Sequence, residues 1–358
     1  MELRELTEND FSDFVKKNVS DNFLQSIEMF RRYKDINREA YLLGGLVRGR
    51  IKIAALVFCV RDIMGWKVFN MARGPILDFT DKKSFNYQNE FLKECSRFLK
   101  DKGGAVLQIS PNFYRELDDC VFSDGEIPVW GEKKKFDSLY QKAGFKYLGE
   151  YGQIKWAYFK KLESEKTETK KSFRQGHKRA IKYAVERYDM KVRNLDLNEL
   201  DVLEKLVNES GKRHGFTGPD TDYYESMKKH FSDKVTFAVA DVSDGKKKIS
   251  AAAGMFIEYN GEMIYLFGGS HIGGKQVSCG PALLQWSMMK KAIDDGSLNY
   301  NFYGTHPFKD AADYSVYNFK RGFRGAIVEY VGTYAKPLNL VGKFLVKKIG
   351  PAEYRGVS

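Results

Sequence analysis

The residues best suited to meet phosphate lie in one run, Ser-Phe-Arg-Gln-Gly-His-Lys-Arg-Ala-Ile-Lys-Tyr-Ala-Val-Glu-Arg-Tyr, from Ser172 to Tyr188. Ser172 reads as an N-cap for a helix that runs to about Arg187. Arg174, Lys178 and Lys182 then recur at every fourth position and stack on one face, with Arg179 beside them, while Ile181, Ala184 and Tyr188 turn inward. Cations at one-turn spacing match the closely spaced phosphates of a nucleic acid. The same row also serves as an ordinary solvated helix face. The five histidines (His177, His214, His230, His271 and His306) form no pair at metal-ligand spacing. His271, inside Gly-Gly-Ser-His-Ile-Gly-Gly, fits either a loop that approaches a substrate or a simple turn. The four cysteines (Cys59, Cys95, Cys120 and Cys279) lie far apart with no CxxC pair, and read as reduced thiols rather than a disulfide framework or zinc site. The chain has no P-loop, dinucleotide fingerprint, GxSxG elbow or HExxH. No metal and no cofactor are expected.

These residues sit on a chain of 358 amino acids, a length that fits two domains. Apolar residues make up 43%, enough for well-formed cores and too many for a disordered chain. The formal net charge of +12 points to an anionic partner. From Lys160 to Arg193 there are twelve Lys and Arg against five Asp and Glu, and from Lys336 to Ser358 five against one. The surplus is therefore two patches on a nearly neutral body. The N-terminus lacks the basic and apolar regions of a signal peptide, and no apolar run approaches the ~20 residues that span a bilayer. A cytoplasmic location is the expectation.

The elements repeat. Residues 22–35 read as a helix, and 40–62 as a hairpin turning at Arg48-Gly49-Arg50. A strand enters Gly74-Pro75, a helix stops at Gly103-Gly104, a short strand ends at Pro111, and a helix closing on Gly144 precedes another strand. The polar stretch 162–172 reads as a linker, which sets a domain boundary near Lys160. The second half runs through two helices, one breaking at Gly215, then three strands with a hairpin at Asn260-Gly261. A helix from Pro281 to Gly296 and further strands follow, among them Ile327–Ala335. This order resembles the GNAT acetyltransferase fold twice over: α/β, with two GNAT-like domains of mixed sheets in tandem. No Gln/Arg-x-x-Gly-x-Gly/Ala loop for the coenzyme A pyrophosphate is present, so any acyl donor is expected to be something else.

The densest local pattern is Tyr317-Asn-Phe319-Lys320-Arg-Gly-Phe323-Arg-Gly325 with Ala-Ile-Val-Glu-Tyr-Val-Gly after it. Together with Asn22-Phe-Leu-Gln25-Ser, Tyr33-Lys34, Arg73-Gly-Pro75, Arg213-His-Gly-Phe216, Tyr223-Tyr224, Ile264-Tyr265-Leu-Phe-Gly-Gly-Ser270 and Pro281-Ala-Leu-Leu-Gln285-Trp286, it resembles the Fem family (FemA, FemB, FemX) over most of the chain. These are nonribosomal peptidyltransferases that build peptidoglycan cross-bridges from aminoacyl-tRNA. The linker is too short for the coiled-coil arm of FemA-type proteins, so the closer resemblance is to FemX.

The resemblance implies a first domain over residues 1–158, completed by the returning segment 334–358, and a second over 159–333. It implies transfer of an amino acid from its tRNA ester to the stem peptide of a peptidoglycan precursor, nucleotide- or lipid-linked. It places Lys320 and Phe319 at the reaction centre. Lys34, Arg213, Tyr223, Tyr265 and Gln25 would hold the precursor, and Arg174, Lys178, Arg179 and Lys182 would meet the tRNA. An ammonium on Lys320 would stabilise the oxyanion of ester aminolysis, and Phe319 would stack on the terminal adenine. Three positions depart from the family pattern: Ser110 and Asn301 stand where it has aspartates, and Pro219 where it has an arginine. The basic, apolar tail Asn-Leu-Val-Gly-Lys-Phe-Leu-Val-Lys-Lys-Ile-Gly reads either as a helix packed on the first domain or as a contact for the inner membrane face. Two other readings stay open: a GNAT-type N-acyltransferase using another donor on a small amine or polysaccharide, and a Fem-like binding protein without chemistry.

Overall fold

A computed structural model describes residues 1–18, 22–62, 64–78, 80–81, 83–118, 130–243 and 248–349. Cys120 and the end of the tail lie outside them. The first half comprises β1 (Glu2–Glu5), α1 (Glu8–Lys17), α2 (Ile27–Asp35), β2 (Ala40–Val47), β3 (Arg50–Arg61), β4 (Lys67–Ala72), β5 (Ile76–Leu77), α3 (Ser84–Asp101), β6 (Gly104–Ser110), β7 (Tyr114–Leu117), α4 (Lys133–Lys142) and β8 (Lys146–Gly149). The second comprises β9 (Trp156–Lys161), α5 (Lys166–Lys171), α6 (Gln175–Glu186), β10 (Lys191–Asn194), α7 (Leu200–His214), α8 (Thr221–Phe231), β11 (Val235–Ser243), β12 (Lys248–Tyr259), β13 (Glu262–Ser270), α9 (Lys275–Ser278), α10 (Gly280–Asp294), β14 (Asn299–Gly304), α11 (Tyr314–Lys320), β15 (Ala326–Tyr330), β16 (Thr333–Pro337) and α12 (Leu340–Ile349).

Two mixed sheets result. One runs β1-β2-β3-β4-β6-β16-β8 with β5 on β3; the other runs β10-β11-β12-β13-β14-β9-β15-β7. Each has one parallel pair, β4 with β6 and β13 with β14. Each is built on a hairpin whose two turn residues adopt positive φ, Arg48-Gly49 and Asn260-Gly261, as a two-residue turn matched to strand twist requires. The expected α/β duplication is present at this level.

The parallel pairs differ in one respect that matters for function. β4 and β6 pair at six positions, from Lys67↔Gly104 to Ala72↔Ser110, with one register shift after Lys67 and unbroken register from Val68 on. β13 and β14 pair only at Glu262↔Asn299, Met263↔Tyr300 and Ile264↔Asn301, and then part. The second sheet therefore opens a cleft where the first stays closed.

The chain crosses between sheets more often than the sequence suggests. β7 joins the second sheet, beside β15. β9 also belongs there and begins at Trp156, so a boundary at residue 158 cuts through a strand. The segment 327–335 is two strands in different sheets, not one. Gly332, at φ +94, turns the chain from β15 into β16, where it pairs with β6 and β8. The expected linker contains α5, and α6 starts at Gln175 behind Arg174 rather than behind Ser172. The Ser172 hydroxyl is engaged elsewhere: it accepts from Lys160 Nζ (2.9 Å) and donates to the Thr169 carbonyl (2.7 Å).

The halves share one apolar core. Phe23, Met29 and Tyr33 of the first cluster with Leu206, Phe231 and Phe237 of the second, and the Phe23 and Phe231 rings meet edge-on at 6.2 Å. Each such side chain is worth about 1.5–3 kcal/mol when buried, so the site is held by a packed interface.

Gly332 concentrates the strain of the crossing. A Cβ there would lie 2.9 Å from Tyr147 Cε2 and 3.0 Å from the Gly149 carbonyl oxygen. Gly332→Ala is expected to destabilise the protein by about 1–3 kcal/mol, measured as a lower melting temperature. Gly103→Ala, also at positive φ but in open space, should cost less.

Candidate active site

The parting strands define a cleft of about 530 Å³ whose walls are Tyr265–Ser270 of β13 and residues 302–306 at the end of β14. Gly268 and Gly269 permit this wall. A Cβ at Gly268 would fall 1.9 Å from the Tyr265 hydroxyl, and one at Gly269 2.0 Å from the Leu206 carbonyl of α7. α7 can thus press against the strand while the Tyr265 ring lies along it, stacked on Phe256 at 5.2 Å.

α11 brings Phe319 and Lys320 to the floor of this cleft. Lys320 is 4% exposed, and its ammonium donates to the Gly304 carbonyl, an acceptor at the end of the parted strand. Burial pushes the amine down to about 7, against the attraction of Asp313. Lys320 therefore sits near half protonation at neutral pH, and an anion in the cleft would draw it to the charged form.

The motif glycines allow the 319–325 turn to be gripped from both sides. His177 of α6 donates from Nε2 to the Phe319 carbonyl (2.9 Å), and its ring lies 4.5 Å from that of Phe323. A Cβ on Gly322 would strike the His177 ring at 2.1 Å, and one on Gly325 the Phe159 carbonyl at 2.0 Å. The Arg174 amide also donates to the Gly322 carbonyl (2.9 Å). The basic helix is thereby fastened to the turn that carries Lys320.

Three cleft residues escaped the sequence reading. His306 lies between two carboxylates, with Nδ1 at 3.0 Å from Asp313 Oδ1 and Nε2 at 3.0 Å from Glu150 Oε2. Burial alone would lower its pKa, but the two carboxylates hold it up to about 10, so it is an imidazolium at neutral pH. Asp313 precedes α11, His306 follows β14 and Glu150 follows β8. One cation therefore ties α11 to both halves of the protein. Glu150 is 156 residues from His306, and no local spacing could reveal the pair.

The candidate residues are distributed as follows. Lys320, Phe319, Arg213 and Tyr265 converge on the cleft. Arg213 is anchored there by Ser210 Oγ and the Ser270 carbonyl, each at 2.8 Å. Tyr223 stands behind the wall, 5.7 Å from the ring of Phe267. Lys34 is exposed at the end of α2, apart from the cleft lining. α2 packs on α8, and the buried Arg32 guanidinium lies 4.5 Å over the Tyr223 ring. Gln25 is a correction. It is fully buried, with Nε2 donating to the Leu56 and Ala72 carbonyls and Oε1 accepting from the Leu56 amide. It clamps strands together from inside the fold, with both amide atoms engaged and no surface open to a substrate. Of the basic row, Arg179 and Lys182 are exposed, Arg174 and Lys178 are half-buried, and Lys178 Nζ donates to the Lys171 carbonyl. Ser110 and Asn301 serve the fold: Ser110 Oγ bonds Thr333 Oγ1 (2.8 Å), and Asn301 donates to Glu262 and accepts from the Tyr303 amide.

A model of the FemAB family matches residues 6–243 and 242–342. The chain belongs to the FemAB family. Aminoacyltransferase FemB of Staphylococcus epidermidis is 25% identical over 413 aligned positions, covering 96% of this chain and 97% of that protein. Aminoacyltransferase FemA of the same organism is 24% identical, covering 95% and 96%. The crystal structure of FemX superposes with a TM-score of 0.77 at 17% identity, over 97% of this FemAB chain and 100% of that one. A tandem GNAT protein of clavulanic acid biosynthesis superposes at 0.56 with 8% identity, covering 94% and 98%. These two structures share the fold.

A buried lysine has a measurable cost. The unfolded chain holds the Lys320 proton up to about 10.5 and the folded chain only to about 7. Folding therefore releases this proton between those values, and stability rises with pH across that window. Lys320→Met should raise the melting temperature, and the gain should be larger at pH 6 than at pH 9.

Proposed function

We propose that this chain is an aminoacyltransferase that moves an amino acid from an aminoacyl-tRNA to the stem-peptide amine of a peptidoglycan precursor. The observation that carries this reading is the burial of Lys320 beside Phe319 at the floor of the cleft, in a chain whose FemAB relatives are named aminoacyltransferases. The precursor amine attacks the ester carbonyl, a carbon–nitrogen bond forms, and the carbonyl oxygen becomes an oxyanion. The Lys320 ammonium would hold that charge. Collapse breaks the ester bond, and the amine proton passes to the departing ribose oxygen. Ser110 and Asn301 are committed to internal hydrogen bonds, so a substrate group is the better proton carrier.

Arg213 and Tyr265 would orient the acceptor from the β13 side. Lys34 would meet its phosphates, and Arg32 offers a guanidinium where Pro219 has none. Phe319 would stack on the terminal adenine. The tRNA stem would lie along α6, whose exposed cations stand beside the Phe319–Phe323 turn. We place the reaction in the cytoplasm, where aminoacyl-tRNA is made.

Labelled aminoacyl-tRNA incubated with nucleotide- and lipid-linked precursors should pass its label into the peptide, and RNase should abolish transfer. RNase-insensitive transfer would sink the tRNA donor and favour another acyl donor. Lys320→Met should lower kcat by about 10²–10³ with little change in KM. The activity that depends on the ammonium should decline as pH rises above about 7 in the free enzyme. Charge reversal at Arg179 and Lys182 should weaken tRNA binding and flatten the plot of log K against log salt by about 1–2. Unchanged binding returns α6 to a solvated face.

A further inference from the structure

α12 is amphipathic in an unusual sense, because both of its faces carry apolar side chains. One face is explained by packing. Val346 is buried, and Gly342 comes so close to β6 that a Cβ would lie 1.8 Å from the Ala105 carbonyl. The other face is not covered by the fold. Leu340 is 80% exposed and Phe344, one turn on, is 62% exposed. Lys343, Lys347 and Lys348 surround them, all exposed and all without an ion pair among the described residues. The helix carries no Asp or Glu.

A second segment, distant in sequence, adds to the same surface. The β3–β4 turn presents Met64 at 66% and Trp66 at 39% exposure. Its one acid, Asp62, is occupied by the backbone amides of Met64 and Trp66. Between turn and helix lies a groove of about 790 Å³ with Val60, Met64, Val68, Val106, Phe344 and Ile349 among its lining. Apolar side chains left in water at two neighbouring elements mark a docking surface.

Charge selects the occupant. Two protruding apolar side chains ringed by three lysines match a bilayer whose acyl boundary accepts the former and whose anionic headgroups attract the latter. We propose that α12 and the β3–β4 turn form a docking surface for an anionic lipid bilayer. No helix among the described residues is long and apolar enough to cross a membrane, so the contact is interfacial. This goes beyond the transfer reaction, which takes place in the other sheet.

The test uses the full chain and vesicles of phosphatidylcholine, alone or mixed with phosphatidylglycerol. The parent protein should sediment with the mixed vesicles and far less with neutral ones, and added salt should release it. Leu340→Asp with Phe344→Asp should abolish binding. Replacing Lys343, Lys347 and Lys348 by Ser should weaken it about a hundredfold, at about fivefold per lysine. These side chains are exposed, so melting temperatures should match the parent. Absence of binding, or equal binding by the aspartate variant, overturns the proposal. So does a parent dimer in light scattering that the aspartate variant converts to monomer, since the surface would then belong to a second copy. Transfer to a nucleotide-linked precursor without vesicles reports on the cleft alone and separates the two claims.

Discussion

β13 and β14 share three residue pairs and then separate, and most of what lies in the cleft depends on that separation. A parallel pair in full register would direct the Gly304 carbonyl toward a neighbouring strand. Parting leaves it as an acceptor for Lys320, exposes the Tyr265–Ser270 edge as a wall and gives α11 room to enter from below. The β13 edge after Ile264 still pairs with β12, so the cleft has one firm side. The β9 side keeps β14 in place up to a bulge between Asn301 and Gly304. In the first sheet β4 and β6 never separate, and the same architecture contributes support instead of a site.

Of the cations that line the cleft, His306 and Lys320 have opposite character. His306 is fixed as an imidazolium by Glu150 and Asp313, and its charge is spent on holding the start of α11. Among the described residues Lys320 donates to one carbonyl, that of Gly304, and when protonated its charge is buried and poorly solvated. An anion generated near it gains more than it would in water, because the ammonium has little competing solvation. The arrangement stores destabilisation in the folded protein at one residue and recovers it when negative charge develops.

Much of this was legible from residue order. The hairpins at Gly49 and Gly261, the helix ends at Gly215 and Gly296 and the repeated plan all follow from local rules about turns, caps and periodicity. The Phe319–Gly325 motif marks a segment that reaches the floor of the cleft, and its glycines have a packing reason: His177 and Phe159 fill the space that side chains at Gly322 and Gly325 would occupy. Gln25 shows the limit of a motif: its amide completes a strand-to-strand clamp, which no local spacing distinguishes from a substrate contact. Ser172 looked like a cap, yet Lys160 claims its hydroxyl. His306 was invisible because its partners lie seven and 156 residues away. Sheet membership failed in the same way: nothing local in Tyr114–Leu117 says which of two sheets it will join.

Gly332 has a consequence for how the protein comes into being. The strand that follows it lies between β6 and β8, both made long before it. During synthesis the first sheet must wait with an open slot between β6 and β8 until β16 has emerged. Domains ordinarily fold in the order they are made, but here the first to be translated is among the last to close. A chain that stops short of β16 leaves β6 with an open edge and β8 without a neighbour in the first sheet, although β1 to β6 can still pair.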